Sequence, residues 1–203
     1  MWVGGGWSCS SAGRPALLAP ANIVGRTDSP PPTPPYGNRC GPKGGRLARH
    51  PGGSVWDIGC GLGGYAAELV RLGCRTLAMD WAASSVAAVR DRYEGLLPGL
   101  TVQRLDFEDD QAVDLLPEGG FDVVTMRLVF AFMRDKEEAA ARVRRLLAPG
   151  GVWVVTTSLA DRLSARRHIG ITGEEVAGLL EGWGSGVWYD LEPGGVRCFV
   201  LRR

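Results

Sequence analysis

Lysine is almost missing from this chain: Lys43 and Lys136 are the only two among 23 basic residues. Arginine carries the positive charge instead, beside many alanines and glycines, which is the composition expected of a GC-rich bacterial gene. Cysteine is sparse and unpatterned. Cys9, Cys40, Cys60, Cys74 and Cys198 are odd in number and show no C-x-x-C spacing, so neither a zinc site nor a disulfide framework is expected. Reduced thiols point to the cytoplasm. No apolar run approaches the length of a membrane helix, and Met1–Gly6 lacks the charged and apolar regions of a signal peptide. The expectation is therefore a cytoplasmic protein with no membrane partner. A charge excess is also missing, with 23 basic against 22 acidic residues and a net +1. That total argues against nucleic acid as a partner. The split is uneven: residues 1–53 hold six basic residues and one acid, and residues 54–203 hold seventeen and twenty-one.

Residues 1–53 stand apart in composition. They contain nine of the 13 prolines, including Pro30-Pro31-Pro32-Thr33-Pro34-Pro35, and no hydrophobic period of either kind. Such a stretch buries too little apolar surface to offset the entropy of ordering it, so it is read as a disordered or irregular leader. The proline run is also the type of segment that binds SH3-like domains.

From Ser54 the pattern becomes regular. Apolar runs at Val55–Ile58, Arg75–Asp80, Thr101–Leu105, Phe121–Arg127 and Val152–Thr157 read as strands. Between them lie amphipathic segments with recognisable ends. Ser84 or Ser85 is expected to cap the second helix, Asp135 with Glu138 the fourth, and Thr172 with Glu175 the last. Gly186–Leu191 and Val196–Leu201 form a terminal pair around Glu192-Pro193-Gly194-Gly195. Alternating strands and helices closed by a hairpin imply a doubly wound α/β sheet.

The most informative stretch is Val55-Trp56-Asp57-Ile58-Gly59-Cys60-Gly61-Leu62-Gly63-Gly64. A buried strand passes through a glycine turn into a helix, whose N-terminus offers free N–H groups. Asp57 lies two residues before the first glycine, Asp80 ends the next strand twenty-one residues after Gly59, and Asp106 follows the third strand. This constellation resembles the class I S-adenosylmethionine-dependent methyltransferases over residues 54–203. The resemblance implies a mostly parallel, seven-stranded Rossmann-like sheet whose last strand is antiparallel. It also implies S-adenosyl-L-methionine as cofactor.

The resemblance further implies a site. Asp57 with Gly59, Cys60, Gly61 and Gly63 faces the methionine end. Asp80 takes the ribose diol and Trp81 lies along the adenine. Asp106 and the Phe107 N–H address the adenine edge, with Glu108 and Asp109 as alternatives. Arg127 opens the loop between cofactor and acceptor, where Phe130 and Phe132 line an apolar pocket or simply pack. His168, flanked by Arg166 and Arg167, is the candidate catalytic residue. Cys60 is expected to be passive. Helices that cover the cofactor in the family are not recognisable in residues 1–53. The expected reaction is methyl transfer to a small-molecule acceptor by in-line displacement, which requires alignment more than a charge-relay triad or a metal. Alternatives are a non-catalytic S-adenosylmethionine-binding domain and an NAD-linked oxidoreductase, against which Asp57 and the G-x-G-x-G spacing count.

Overall fold

In the computed structural model, residues 23–26, 52–191 and 195–203 are described. Along the chain run β1 (Ile23–Arg26), β2 (Ser54–Ile58), α1 (Gly64–Arg71), β3 (Arg75–Asp80), α2 (Ala83–Arg92), β4 (Leu100–Arg104), α3 (Asp110–Asp114) and β5 (Phe121–Arg127). Then follow α4 (Lys136–Leu146), β6 (Leu147–Leu159), β7 (Gly170–Ile171), α5 (Gly173–Leu180), β8 (Ser185–Leu191) and β9 (Val196–Arg202). One sheet takes the order β1-β8-β9-β6-β5-β2-β3-β4, with β7 paired to β6. Only β9 runs against its neighbours, β6 and β8. The expected parallel sheet with an antiparallel C-terminal hairpin is present. Its extra strands are β1, on the outer edge beside β8, and the short β7.

Side-chain alternation explains the layers. Along β2, Val55 packs with Leu69 of α1 and Val123 of β5, while the next residue, Trp56, joins the cluster built from α4 and α5. A strand buried on both faces needs this near-continuous apolar run, because successive side chains point to opposite sides. The larger cluster holds Trp56 and Trp153, both fully buried, with Met126, Phe130, Val143, Leu179 and Phe199. Truncating either tryptophan to alanine is expected to cost about 3–5 kcal/mol.

Four local readings are revised. The Pro/Gly-rich stretch supplies a strand, β1, whose register pairs Ile23 with Gly186; the proline run lies outside the described residues. The strand read as Val152–Thr157 runs from Leu147 to Leu159. The N-cap of α2 is Ala82, not Ser84 or Ser85, which sit inside its first turn. The Ala82 N–H donates at 2.9 Å to Asp80 Oδ1, which fixes the chain's entry into the helix, and no side chain caps its first turn. At α4, Asp135 accepts from the Glu138 N–H, but the reciprocal bond occurs only at α5, between Thr172 and Glu175. Among the described residues, no helix is long and apolar enough to cross a membrane.

Candidate functional site

The turn after β2 uses three glycines for two different reasons. Gly59, Gly61 and Gly63 have φ of 69°, 53° and 75°, in the left-handed region that other residues enter at a cost of about 1–2 kcal/mol. A Cβ on Gly59 would lie 2.4 Å from Val129 Cγ2, and one on Gly63 2.6 Å from Val89 Cγ2. These two let the loop pack closely. A Cβ on Gly61 would meet nothing within 4 Å, so this residue borders open space instead. Gly63 is also the N-cap of α1 and offers no capping side chain, which leaves first-turn N–H groups available to a ligand.

Asp57 lies beneath this loop at 2% exposure. Its Oδ1 accepts a 2.6 Å bond from Thr125 Oγ1, and its Oδ2 has no partner. Burial pushes its pKa up to about 6, against the lowering influence of Thr125 and of the Arg127 charge; Asp80 adds a smaller upward push. A buried carboxylate with an unused oxygen is costly unless something cationic arrives. Asp80 is tied down from both sides: Oδ2 accepts from Gly61 N–H and Oδ1 from Ala82 N–H, each at 2.9 Å. It therefore fastens the glycine loop to the end of β3. Each oxygen keeps a second lone pair.

Trp81 follows at 72% exposure, its carbonyl held by Arg104 Nε at 3.1 Å. Asp106 is exposed and turns its Oδ1 to the Glu108 N–H. Phe107 sends its ring inward against Trp56, with centroids 5.6 Å apart, so only its backbone can face a ligand. The two alternative acids are engaged elsewhere. Glu108 binds the Arg134 backbone and guanidinium, and Asp109 caps α3. Cys60, half-buried near Asp57 and Asp80, has its thiol pushed up to about 12, chiefly by burial, and stays neutral. Arg127 lies over the Tyr65 ring at 4.6 Å.

Beyond β5 the chain enters a short 3-10 turn, Phe130–Phe132. Phe130 is fully buried while Phe132 is 60% exposed, so the two phenylalanines have separate roles. His168 is exposed on a second 3-10 turn, Arg167–Ile169, which packs on the first. The β5–β6 pairing ends at Arg127–Thr156, and β7 then pairs with β6 at Ser158 and Leu159. Thus β7 continues the lane of β5, and His168 is carried past that strand's carboxyl end. Ligands in doubly wound sheets bind at this end.

Sequence reasoning overlooked four contributors. Thr125 was visible as the one hydroxyl in the run Phe121–Arg127. Tyr65 and Val129 act through contacts between separate elements and leave no local signal. Leu128 adopts φ 58°, and only Arg166 shares a left-handed backbone among the non-glycine residues described. Such conformations cost about 1–2 kcal/mol and gather at ligand sites.

Residues 56–153 match the family model described as a methyltransferase domain. A Mycolicibacterium smegmatis protein named "probable S-adenosylmethionine-dependent methyltransferase" is 34% identical over 115 residues, 55% of this chain and 41% of that one. The ubiquinone biosynthesis O-methyltransferase of Xanthomonas oryzae pv. oryzae is 32% identical over 132 residues, 64% of this chain and 52% of its own. The chain thus spans about half or less of the length of these relatives. An S-adenosylmethionine-dependent methyltransferase from Mesorhizobium loti shares the fold at TM-score 0.64 and 17% identity, covering 75% of this chain and 91% of that one. Fold and loop set together define a Rossmann-like nucleotide-binding domain of the S-adenosylmethionine type. Residues 56–153 are thus matched as a methyltransferase domain, and the chain is similar to S-adenosylmethionine-dependent methyltransferases.

Proposed function

We propose that this chain transfers a methyl group from S-adenosylmethionine to a small-molecule acceptor. The observation that carries the reading is Asp57: a buried carboxylate with an unpartnered oxygen, directly before a loop whose Gly61 borders open space. The ammonium of the methionine moiety supplies the missing partner, and Arg127 is the counter-charge for its carboxylate. Asp80 receives the ribose hydroxyls on its free lone pairs, Trp81 lies against the adenine, and Asp106 with the Phe107 N–H meets the adenine edge. Gly59, Cys60 and Gly63 shape the wall of the cradle. Bound there, S-adenosylmethionine supplies an electrophilic methyl for in-line displacement. What the protein adds is alignment and exclusion of water, with His168 as the candidate proton acceptor for substrates that lose one. Free thiols at Cys60, Cys74 and Cys198, with arginine in place of lysine, support a bacterial cytoplasmic setting.

Calorimetric titration with S-adenosylmethionine, S-adenosylhomocysteine and NAD tests this on the parent chain and on Asp80→Ala. The sulfur ligands are expected to bind, NAD not to bind, and the variant to lose about tenfold or more in affinity. Binding of NAD alone would sink the reading. Cofactor binding without labelled methyl product from any small-molecule pool would instead support the non-catalytic alternative.

A further inference from the structure

The loops at the carboxyl end of the sheet divide sharply by charge. Residues 59–63, 80–82 and 105–109, after β2, β3 and β4, contain Asp80, Asp106, Glu108 and Asp109 and no basic residue. Residues 127–135 and 160–172, on the other side, contain Arg127, Arg134, Arg162, Arg166 and Arg167 against only Asp135 and Asp161. The acidic half suits a donor that bears a sulfonium and an ammonium. The arginine half lies where the acceptor must enter.

Most of these charges already have partners. Arg134 pairs with Glu108, Arg162 pairs with Asp190 at 2.8 Å, and Asp135 caps α4. Arg127 lies on Tyr65 within the proposed donor site. That leaves the exposed Asp161 and, with twice its charge, Arg166 and Arg167, both exposed and neither in an ion pair with a described residue. Arg167 spends only its Nε, on the Ala160 carbonyl at 3.1 Å, which fixes the guanidinium and leaves its terminal N–H groups unused. Arg166 sits at φ 53° and starts the turn that packs on Phe130–Phe132. On the adjoining loop, Leu128 and Phe132 are 51% and 60% exposed. Leu128 has the other left-handed backbone. Two strained backbones therefore flank a pair of turns that pack together, one carrying cations and the other apolar side chains.

We infer that the acceptor is an amphiphilic anion: its carboxylate or phosphate is received by Arg166 and Arg167, and its apolar body lies against Leu128 and Phe132. The inference rests on the methyl-transfer reading for what enters the site, but the anion preference is measurable without it. A planar guanidinium matches the paired oxygens of either group, and the flanking apolar side chains exclude water from the contact. An anion held there lies beside His168.

The test uses fluorine NMR on the full chain, at low salt, with and without S-adenosylhomocysteine. Three probes share one ring: 4-fluorophenylacetate, 4-fluorophenyl phosphate and the neutral 4-fluorophenylacetamide. At least one anion is expected to bind about fivefold or more tighter than the amide. The double variant Arg166→Gln/Arg167→Gln is expected to remove most of that advantage, leaving amide binding unchanged and lowering the melting temperature by no more than about 4 °C through loss of the Arg167–Ala160 bond. The relative strength of the two anions tells carboxylate from phosphate recognition. Equal binding of acid, phosphate and amide overturns the inference, as does an anion preference that survives the double variant. A loss of S-adenosylhomocysteine affinity in that variant also overturns it, because the arginines would then serve the donor. If the parent fails to bind S-adenosylhomocysteine, the methyl-transfer reading fails, while the anion-to-amide ratio still decides this one.

Discussion

Replacing Asp57 with asparagine should make the unliganded protein more stable and a poorer binder. Folding moves this carboxyl from its ordinary 3.8 to about 6, mainly because it is buried. A raised acid pKa means that the folded state holds the proton more tightly than the unfolded chain. Between about pH 4 and pH 6 the unfolded chain gives up its proton first, so stability falls as pH rises. Above about 6 the whole penalty is present, on the order of 3 kcal/mol. The asparagine side chain would keep the Thr125 bond and remove the buried charge. Its amide would leave N–H groups unpaired where Oδ2 had none, at about 1–2 kcal/mol. The net gain at pH 7.5 is therefore about 1–2 kcal/mol, or roughly 2–8 °C in melting temperature for a domain of this size. The same change removes the counter-charge for the methionine ammonium, and S-adenosylhomocysteine affinity should fall about tenfold to a hundredfold. Denaturant unfolding at pH 7.5 and pH 5, with calorimetry at pH 7.5, measures both effects. The stability gain should shrink at the lower pH. A variant that is less stable than the parent at both values would refute the reasoning, since the buried charge would then be satisfied within the fold.

Other substitutions separate packing from binding. Gly61→Ala should lose only about 1 kcal/mol of stability but most of its cofactor affinity, whereas Gly63→Ala should destabilise further because its Cβ meets Val89; unfolding and titration curves distinguish them. With its thiol held neutral, Cys60 should react with iodoacetamide at pH 7.5 far more slowly than in denaturant, as peptide mapping would show. Thr172→Ala should cost about 1 kcal/mol in chemical unfolding, because the Glu175 N–H loses its Thr172 Oγ1 acceptor while the reciprocal bond from the Thr172 N–H to Glu175 remains.

The parts legible from sequence were those in which neighbouring residues decide the outcome. The strand–glycine–helix junction at Val55–Gly64 and the Thr172–Glu175 box lie within a few residues of their partners. The unread parts depend on distant ones. Nothing in Ile-Val-Gly-Arg at 23–26 marks a strand, because its partner begins at Gly186. Ser84 and Ser85 looked like caps, yet Asp80 reaches the Ala82 N–H from the strand end. Of the third-loop acids, Glu108 became a tie to Arg134, twenty-six residues away, which no local pattern displays. Asp57 was readable as an acid in an apolar strand. Its missing partner was not, because an unsatisfied oxygen is a property of the packed interior.

The place of β9 bears on how the protein is made. This strand follows all the others in chain order but is inserted between β6 and β8. Until it arrives, β6 presents a long edge of unpaired backbone N–H and C=O groups, and β1 with β8 can pair only as a separate ribbon. The two pieces of the sheet are therefore joined last, after the cofactor loops have been synthesised. A ribosome that stalled before Val196 would release a chain with its glycine loop complete and its sheet open. Such a chain is a substrate for chaperones or for edge-to-edge association.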